Sequence, residues 1–282
     1  MDFAMKTPNG MLDPKKLVFP VLLQPKLDGL RGLAVVGYDG SVTWYSYSGK
    51  PLWNLEYVTQ FLPDHPGVYD GEIIWPGRPF SDAYGLCKRQ KPDPKKYPDH
   101  EKDKLALQFH VFDFLHHGEW SSKECERPLR LRLSELVSLI ETNPGTVTSV
   151  PTWMANDLKG FHEYHRMFLD KGYEGTMVKK LDGLYWWKRH PDWHRWKPTD
   201  PIDVLILEQI EGKGKWKGAL GAFVVQMPDG TRCKAGGGRI TLETRKEWWS
   251  RNLVGKYVEV LRKPGKKGAM REPILVRLRE DK

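Results

Sequence analysis

The charged residues of this sequence that could do chemistry stand at the ends of short apolar runs. In LLQPKLDGLRG, Lys26 ends such a run and Arg31 lies between two glycines. VYDGEIIW places Glu72 on an apolar strand, and YEGTMVKK places Glu174 at the start of another. A buried carboxylate is unfavourable unless it is paired or bound to a cation. These residues therefore indicate either ion pairs within the fold or a site that holds a cation.

The K-x-D-G spacing of Lys26, Asp28 and Gly29 is weak evidence by itself. If each residue type occurs at roughly one in fifteen positions, the string arises by accident in roughly one chain in twelve of this length. A charged β-turn between two strands explains it equally well. An arginine two places after the glycine lowers the odds to on the order of one in two hundred. The motif is a hypothesis that the rest of the sequence has to test.

Length and composition are those of a folded globular protein. The chain has 282 residues, of which 39% are hydrophobic, 29% charged and 12% aromatic. No apolar run approaches the roughly 20 residues of a membrane span, and the start lacks the features of a signal peptide. The three scattered cysteines argue against a zinc site and a disulfide framework. We expect a soluble, monomeric protein without a membrane partner, located in the cytoplasm of its own cell or of a host.

The net charge of +9 favours a polyanionic partner. Basic residues concentrate in the stretches 87–104, 185–198, 211–218 and 261–273, and three of these carry aromatics or adjoin glycines. A solvated lysine surface is the alternative for any one of them, but four together favour nucleic acid. The stretch 88–104 is also the expected mobile loop.

The predicted elements divide the chain into two parts. Short β-rich runs within residues 18–44 alternate with Gly or Asp turns. Helical patterns cover residues 55–62, 129–141 and 156–170. Residues 197–201 contain two prolines and are typical of a linker. Beyond it, five short strands and one helical segment suit a small Greek-key barrel of the oligonucleotide-binding (OB) type. We expect an α+β domain over residues 1–198 and an OB-fold β-barrel over residues 199–282.

The order of the motifs resembles that of the ATP-dependent DNA ligases, which are covalent nucleotidyltransferases. K-x-D-G, D-G-E, the aromatic strand FHVFDFL, E-G-x-M-V-K and W-K-P follow one another ahead of the predicted barrel. REPILVRLREDK is similar to the family's last motif, and EGKGKWKGALGAFVV to the first barrel hairpin of small bacterial and phage ligases. The resemblance implies the minimal two-domain form: a nucleotidyltransferase (adenylation) domain of antiparallel sheets with flanking helices, followed by a small OB-fold β-barrel.

The activity implied by this resemblance is the sealing of nicks between a 5′-phosphate and a 3′-hydroxyl in double-stranded DNA. Lys26 would attack the α-phosphate of ATP and form a lysyl-AMP intermediate, which splits a difficult transfer into easier steps. A lysine with the ordinary pKa of 10.4 is neutral in only about four of ten thousand molecules at pH 7. Arg31, a bound divalent cation and partial burial are expected to favour the free amine.

The resemblance also assigns the groups around the phosphates. Glu72 and Glu174 would bind Mg²⁺, for which Mn²⁺ can substitute, because this ion prefers carboxylate oxygens beside phosphate. Asp28 would tune the nucleophile or contact the metal. Lys197, supported by Arg195, would hold the α-phosphate oxygens during in-line displacement.

The remaining nucleotide contacts follow in the same way. Phe112 would stack on the adenine, and Gln24 would accept a hydrogen bond from its exocyclic amine or present a backbone carbonyl to it. Many relatives have a glutamate at the position of Gln24. Arg31 would also contact the nucleotide, and Arg279 and Lys282 would orient the pyrophosphate leaving group when the barrel closes over ATP.

One motif departs from the family pattern at the expected DNA contact. Relatives have S-R-x-x-K where this chain has SYSGK, so Tyr47 takes the place of an arginine that contacts the 5′-phosphate of the nick. Lys50, or Arg89 from the basic loop, would then make this contact. The loop 87–104 and the hairpin 212–218 are expected to hold the duplex without reading its sequence. The predicted DNA-binding residues are Lys50, Lys88, Arg89, Lys91, Lys95, Lys96, Lys213, Lys215 and Lys217.

Three alternatives stay open. An RNA ligase and a GTP-dependent mRNA capping guanylyltransferase use the same lysine chemistry, although the barrel-type C-terminus argues against many of the former and the R-E-D-K ending against the latter. A noncatalytic DNA-binding OB module would leave the five motifs without a role. The NAD-dependent ligases carry a four-cysteine zinc site that this sequence cannot supply, so ATP is the expected donor.

Overall fold

The computed structural model describes residues 2–8, 12–141, 145–197, 200–227, 230–237, 240–263 and 271–279. The chain forms two compact units, Met1–Trp196 and Lys197–Lys282. The division lies two residues before the boundary predicted at residue 198. No helix in the described ranges combines the length and the apolar character that a membrane crossing requires.

The first unit contains two sheets. Its strands are β1 (Val21–Lys26), β2 (Leu30–Val36), β3 (Val42–Ser46), β4 (Gly67–Ile74), β5 (Gln108–His116), β6 (Val147–Ser149), β7 (Trp153–Ala155), β8 (Gly175–Lys180) and β9 (Trp193–Trp196). One sheet has the order β7-β1-β8-β9 and the other β3-β2-β4-β5-β6. Every pair is antiparallel except β5 with β6. The predicted α+β domain of antiparallel sheets is thus confirmed.

Helices flank both sheets. They are α1 (Glu56–Thr59), α2 (Phe80–Cys87), α3 (His100–Asp103), α4 (His117–Ser122), α5 (Leu129–Glu141) and α6 (Leu158–Asp170). The bounds of α5 are those predicted, because its leucines recur at helical spacing and pack into the core beneath the second sheet. Helix α6 begins two residues later than predicted. The reason is that Asp157 caps it, its carboxylate accepting from the Gly160 N–H at 2.7 Å. Helix α1 is shorter than the predicted segment.

Alternation along β1 determines which of its side chains can reach a ligand. Val21 and Leu23 pack with α6 in one core cluster, whereas Leu22 belongs to the core beneath the other sheet. Since successive side chains of a strand point to opposite faces, Gln24 and Lys26 share the face of Leu22. That face is turned away from α6.

The basic stretch 88–104, for which the sequence predicts a mobile loop, is mostly exposed but contains two buried residues, Pro92 and Tyr97. Tyr97 is 3% exposed, and its hydroxyl donates to the Asp82 carbonyl at 2.9 Å. Its ring stacks near that of Trp75, with the centroids 6.4 Å apart. A buried aromatic anchor of this kind fixes the segment against α2 and the end of β4.

The second unit is a curled five-stranded sheet with one helix. Its elements are β10 (Asp200–Glu211), β11 (Leu220–Gln226), β12 (Arg232–Ala235), α7 (Leu242–Ser250), β13 (Tyr257–Lys263) and β14 (Arg271–Arg279). The order is β12-β11-β10-β13-β14, and Gly237, two residues after β12, forms a parallel bridge with Ile274 of β14. The five strands and the helix predicted for an OB-like domain are confirmed. Within the described residues this bridge connects the two edges of the sheet, but the strands do not form a fully closed barrel.

Candidate active site

A pocket of about 410 Å³ is lined by residues from both sheets of the first unit. This volume lies within the range of roughly 300–1,000 Å³ that is typical of small-molecule sites. Strands β1, β8 and β9 form one wall, and β2, β4 and β5 form the other. Six of the predicted site residues line it: Gln24, Lys26, Arg31, Glu72, Phe112 and Arg195.

Lys26 stands at the end of β1, where the backbone of β8 fixes its position. Lys26 lies opposite Gly175 in the strand register, and the Glu174 N–H donates to the Lys26 carbonyl at 3.1 Å. The Lys26 Nζ donates to Glu174 Oε2 at 2.5 Å and to the Leu27 carbonyl at 3.3 Å. The amine therefore reaches the pocket with a carboxylate at hydrogen-bond distance, and this carboxylate can accept its proton.

Gly29 permits a close approach between the K-x-D-G turn and β4. A Cβ atom there would lie 2.5 Å from the Ile73 carbonyl oxygen and 2.7 Å from Glu72 Cγ, so any larger residue would displace the strand. Burial raises the pKa of Glu72 to about 8, although the charges of Lys26 and Arg31 act in the opposite direction. A cation bound at this carboxylate would offset the unfavourable burial of its charge.

Arg31 is held rigidly opposite Glu72 in the pairing of β2 with β4. Its Nε and NH2 groups donate to the two oxygens of buried Asp70 at 2.9 and 2.6 Å, and NH1 donates to the Met5 carbonyl at 2.6 Å. The Tyr185 hydroxyl donates to the same Asp70 carboxylate at 2.7 Å. Burial by itself would lower the pKa of Arg31, but the Asp70 charge outweighs it and the pKa lies above its ordinary value. The guanidinium is a fixed positive charge.

Phe112 reaches the pocket because of a bulge in β5. Gly71 pairs with Val111 and Asp70 pairs with Asp113, which leaves Phe112 as the extra residue between them. A bulge re-aims the side chain that it contains. The ring of Phe112 therefore lines the pocket, whereas the other two phenylalanines of the strand are buried in the core.

Lys179, the last residue of the E-G-x-M-V-K motif, is a buried cation for which the sequence predicted no role. Its side chain is 1% exposed, and Nζ lies 4.7 and 4.2 Å from the ring centroids of Phe112 and Trp193. Nζ also donates to the Phe112 carbonyl at 3.0 Å. Burial lowers the pKa of Lys179 to about 7. Its charge is therefore sensitive to whatever enters the pocket.

Gln24 presents a buried polar atom without a partner in the described residues. The side chain is 1% exposed, and Nε2 donates to Thr152 Oγ1 at 2.9 Å. Oε1 is buried and accepts no hydrogen bond within the described part of the chain. An unsatisfied buried acceptor is unfavourable by about 1–3 kcal/mol. A ligand with an amino group would satisfy it.

The structure brings only some of the other predicted catalytic and nucleotide-binding residues to the pocket. Arg195 lines the pocket with an exposed side chain, whereas Asp28 is exposed and is not among the lining residues. Lys197 follows β9 directly, where the chain enters the second unit, and its role stays a prediction. Arg279 NH1 donates to both Asp203 carboxylate oxygens at 2.8 and 2.6 Å within the second unit. Lys282 lies outside the described residues.

The predicted DNA-binding residues all have exposed side chains. Lys96 differs from the rest because its Nζ contacts Asp82 Oδ1 at 3.1 Å and lies 5.2 Å from the Tyr97 ring centroid. It is engaged in anchoring its own segment. Tyr47, which stands where the arginine was expected, is 48% exposed and lines the pocket.

Several site residues had no role predicted from the sequence, although two of them, Asp70 and Lys179, belong to the D-G-E and E-G-x-M-V-K motifs. Asp70 stands two residues before Glu72 on the same strand, and Lys179 shares its strand face with Met177, which also lines the pocket. Alternation alone would have brought both to the site. Lys6, Thr7, Arg189, Tyr185 and Trp193 carry no comparable signal.

This set of elements and side chains is that of a nucleotidyltransferase domain followed by an OB-like domain. The sequence matches the family described as ATP dependent DNA ligase domain over residues 14–197, and the DNA ligase OB-like domain family over residues 211–279. The chain belongs to the ATP-dependent DNA ligase family. Both matches are to DNA ligase domains, which favours this family over RNA ligases, capping guanylyltransferases and noncatalytic binding modules.

Individual relatives agree with this assignment. The chain is 30% identical over 251 residues to a DNA ligase of Methanopyrus kandleri, covering 77% of this chain and 43% of that one. It is 31% identical over 218 residues to a DNA ligase of Archaeoglobus fulgidus, covering 70% and 36%. The chain thus spans less than half the length of these curated relatives.

Solved structures of ligases share the fold over nearly the whole chain. A structure from a study of Lig E DNA ligases and their DNA binding with a minimal scaffold has a TM-score of 0.75 at 20% identity, covering 97% of this chain and 98% of the other. The ATP-dependent DNA ligase of bacteriophage T7, in complex with ATP, has a TM-score of 0.59 at 18% identity, with 98% of each chain covered.

Proposed function

We propose that this protein is an ATP-dependent DNA ligase that seals nicks in duplex DNA through a lysyl-AMP intermediate. The observation that carries the proposal is the position of Lys26 Nζ, which lies beside Glu174 in a pocket that also holds an aromatic ring, an unsatisfied amide oxygen and fixed positive charges. The Lys26 amine is the nucleophile that adenylylation requires. The aromatic ring can stack on the adenine of a bound ATP, the amide oxygen can accept a hydrogen bond from its amino group, and the positive charges can bind its phosphates.

The first step follows from the pair of Lys26 and Glu174. The neutral amine attacks the α-phosphorus of ATP, a nitrogen–phosphorus bond forms, and the bond from that phosphorus to the bridging oxygen breaks to release pyrophosphate. Glu174 accepts the proton that the amine loses, directly from Nζ. Arg195 and Lys197 would stabilise the charge that builds on the α-phosphate oxygens.

The selection of adenine over guanine would depend on Gln24 and Phe112. The Gln24 Oε1 can accept a hydrogen bond from the exocyclic amine of adenine, and guanine presents a carbonyl at the corresponding position. Phe112 offers a ring face for stacking. The donor specificity for ATP over GTP would therefore arise mainly from one hydrogen bond.

Glu72 and Glu174 are the groups that would hold magnesium. Held by Glu72 during the first step, the ion would neutralise phosphate charge and polarise the α-phosphate for attack. Glu72 suits this role because its carboxylate is buried enough to need a compensating cation. Glu174 pairs with the Lys26 ammonium. Once Lys26 carries AMP its nitrogen is no longer cationic, and Glu174 would become available as a metal ligand after releasing to solvent the proton that it accepted.

The later steps use the same residues on a DNA substrate. The 5′-phosphate of a nick displaces Lys26 from the adenylate, and the 3′-hydroxyl then attacks that phosphate and releases AMP. Arg279 and Lys282 would act only on the pyrophosphate of the first step. The Asp203 carboxylate that now holds Arg279 would have to share this guanidinium with the leaving group.

The duplex would be held by two exposed basic segments. One comprises Lys88, Arg89, Lys91 and Lys95, and Lys50 is a further predicted contact. The other comprises Lys213, Lys215 and Lys217 in the connection between β10 and β11. These contacts would be to phosphates, so each lost lysine should reduce the salt dependence of binding by about one unit of slope. The location in the cytoplasm and the monomeric state stay predictions from the sequence.

The proposal is tested by incubating the protein with α-labelled ATP and Mg²⁺ and then adding an unlabelled nicked duplex. We expect label on the protein, followed by its loss together with sealed DNA. Lys26→Ala should take up no label but should still seal a pre-adenylylated nick slowly, and the exposed Lys16→Ala serves as the matched control. A wild-type protein that takes up no label, or that transfers it to a nick containing RNA but not to DNA, would contradict the proposal.

A further inference from the structure

Residues 2–8 run along the rim of the pocket, ahead of the region that matches the ligase family. The Lys6 N–H donates to the Lys188 carbonyl at 3.1 Å, and the His190 N–H donates to the Lys6 carbonyl at 3.0 Å. The backbone of this segment is thus fixed independently of its side chains. The family match begins at residue 14, so it assigns no role to Lys6 or Thr7, although both line the pocket.

The segment gathers three cationic side chains at the rim. Arg189 NH1 donates to the Thr7 carbonyl at 2.9 Å, and Arg195 NH1 donates to Thr7 Oγ1 at 3.4 Å. Lys6 Nζ lies 5.6 Å from the ring centroid of Tyr47. All five residues line the pocket. The rim is therefore a cluster of cations held in place by backbone, hydroxyl and ring contacts.

The pocket has two chemically different ends. Gln24, Lys179 and Trp193 are 1, 1 and 2% exposed, whereas the side chains of Arg189 and Arg195 are exposed. The buried end suits an apolar, hydrogen-bonding base, and the exposed rim suits groups that stay hydrated and negatively charged. The proposed function uses Arg195 at this rim but leaves Lys6, Thr7 and Arg189 without a task.

We propose that Lys6, Thr7 and Arg189, together with Arg195, form a second anion subsite that binds a terminal phosphate group of a substrate. This inference rests on the proposed ligase function. Two sources supply such a group: the β- and γ-phosphates of ATP in the first step, and the 5′-phosphate of the nick in the second. A phosphate accepts charge-assisted hydrogen bonds from several donors at once, which a cluster of one ammonium and two guanidinium groups can provide.

The partner of Lys6 gives the proposal a sharp control. Lys6 Nζ donates to Asp2 Oδ1 at 2.8 Å, so Lys6 could instead serve only to fasten the segment. If Lys6 only fastened the segment through its ion pair with Asp2, removing Lys6 and removing Asp2 would have the same effect on substrate binding. If Lys6 binds phosphate, Asp2 competes with the substrate, and Asp2→Asn should leave binding unchanged or tighten it.

The experiment compares wild type with Lys6→Met, Lys6→Arg, Asp2→Asn and the matched control Lys15→Met, which removes an exposed lysine outside the pocket. One arm measures KM for α-labelled ATP in protein adenylylation. The other uses pre-adenylylated protein and measures single-turnover transfer of AMP over a range of concentrations of a nick with a 5′-phosphate. Because Lys6→Met loses one charge-assisted contact, we expect it to bind the affected substrate, ATP or the nick, about tenfold more weakly. Lys6→Arg should stay near wild type.

If only KM for ATP rises, the subsite belongs to the nucleotide. If only the nick concentration required for half-maximal transfer of AMP rises, the subsite belongs to the 5′-phosphate. Lys6→Met matching wild type in both arms overturns the inference, as does an equal loss in Asp2→Asn. The proposed function fails separately, since that would require the wild-type protein itself to take up no label.

Discussion

The protein should be less stable at neutral pH with a lysine at position 179 than with an uncharged side chain there. Burial lowers the pKa of Lys179 from 10.5 to about 7. The unfolded chain therefore takes up a proton between these values that the folded chain does not, and stability falls as the pH decreases through this window. Integrated down to pH 7, the effect amounts to about 4 kcal/mol.

The Lys179→Met variant removes this penalty but also removes a hydrogen bond. Without a donor, the buried Phe112 carbonyl is destabilised by about 2 kcal/mol. The variant should accordingly be more stable than wild type by about 2 kcal/mol at pH 7. The difference should shrink by roughly 1.4 kcal/mol per pH unit and reach zero near pH 9, because the unfolded lysine progressively loses its proton.

Urea unfolding followed by tryptophan fluorescence between pH 7 and 9.5 measures this difference. Lys171→Met is the matched control, since Lys171 has an exposed side chain. It should change stability by less than about 1 kcal/mol at every pH. A Lys179→Met protein that is less stable at pH 7, or whose difference from wild type does not vary with pH, would refute the reasoning. A lysine kept at a destabilising position is typical of a functional site, so slower adenylylation should accompany the gain.

Three further outcomes can be measured. Arg132→Met leaves the Asp113 carboxylate buried without the guanidinium that contacts it at 2.8 and 2.9 Å, and should reduce the free energy of urea unfolding by about 3–5 kcal/mol; a loss below about 1 kcal/mol would contradict this. Gln24→Met should raise KM for ATP about tenfold in the labelling assay and should leave any labelling by GTP unchanged, and an equal effect on both nucleotides would exclude a base contact. Gly29→Ala, whose Cβ would approach the Ile73 carbonyl oxygen to 2.5 Å, should slow adenylylation by at least about tenfold through displacement of the neighbouring carboxylate, so a wild-type labelling rate would argue against it.

The sequence predicted those features that depend on local pattern. Helix α5 was placed to the residue because four of its apolar side chains recur at helical spacing and are buried. The five strands of the second unit were recognised because turn residues separate their apolar runs. Lys26, Arg31 and Glu72 were expected together, and the register of β2 with β4 does bring the latter two opposite each other.

Features that depend on long-range pairing were not accessible in the same way. The backbone N–H of Met5 donates to the hydroxyl of Tyr185, 180 residues away, and no local pattern encodes that contact. The bulge that turns Phe112 towards the pocket arises from the pairing of two strands rather than from either strand alone. Lys179 and Lys180 look alike in sequence, yet one is 1% exposed and the other is on the surface. Composition likewise predicted a mobile loop at residues 88–104 but gave no sign that Tyr97 within it is buried.

The most direct test of the central claim is to locate the adenylate by peptide mapping. The protein is incubated with ATP and Mg²⁺, digested, and analysed by mass spectrometry under conditions that preserve phosphoramidates. We expect one AMP group, carried by the peptide that contains Lys26 and attached to its Nζ. An unmodified protein, or an adenylate attached to any other side chain, would contradict the assignment of Lys26 as the nucleophile.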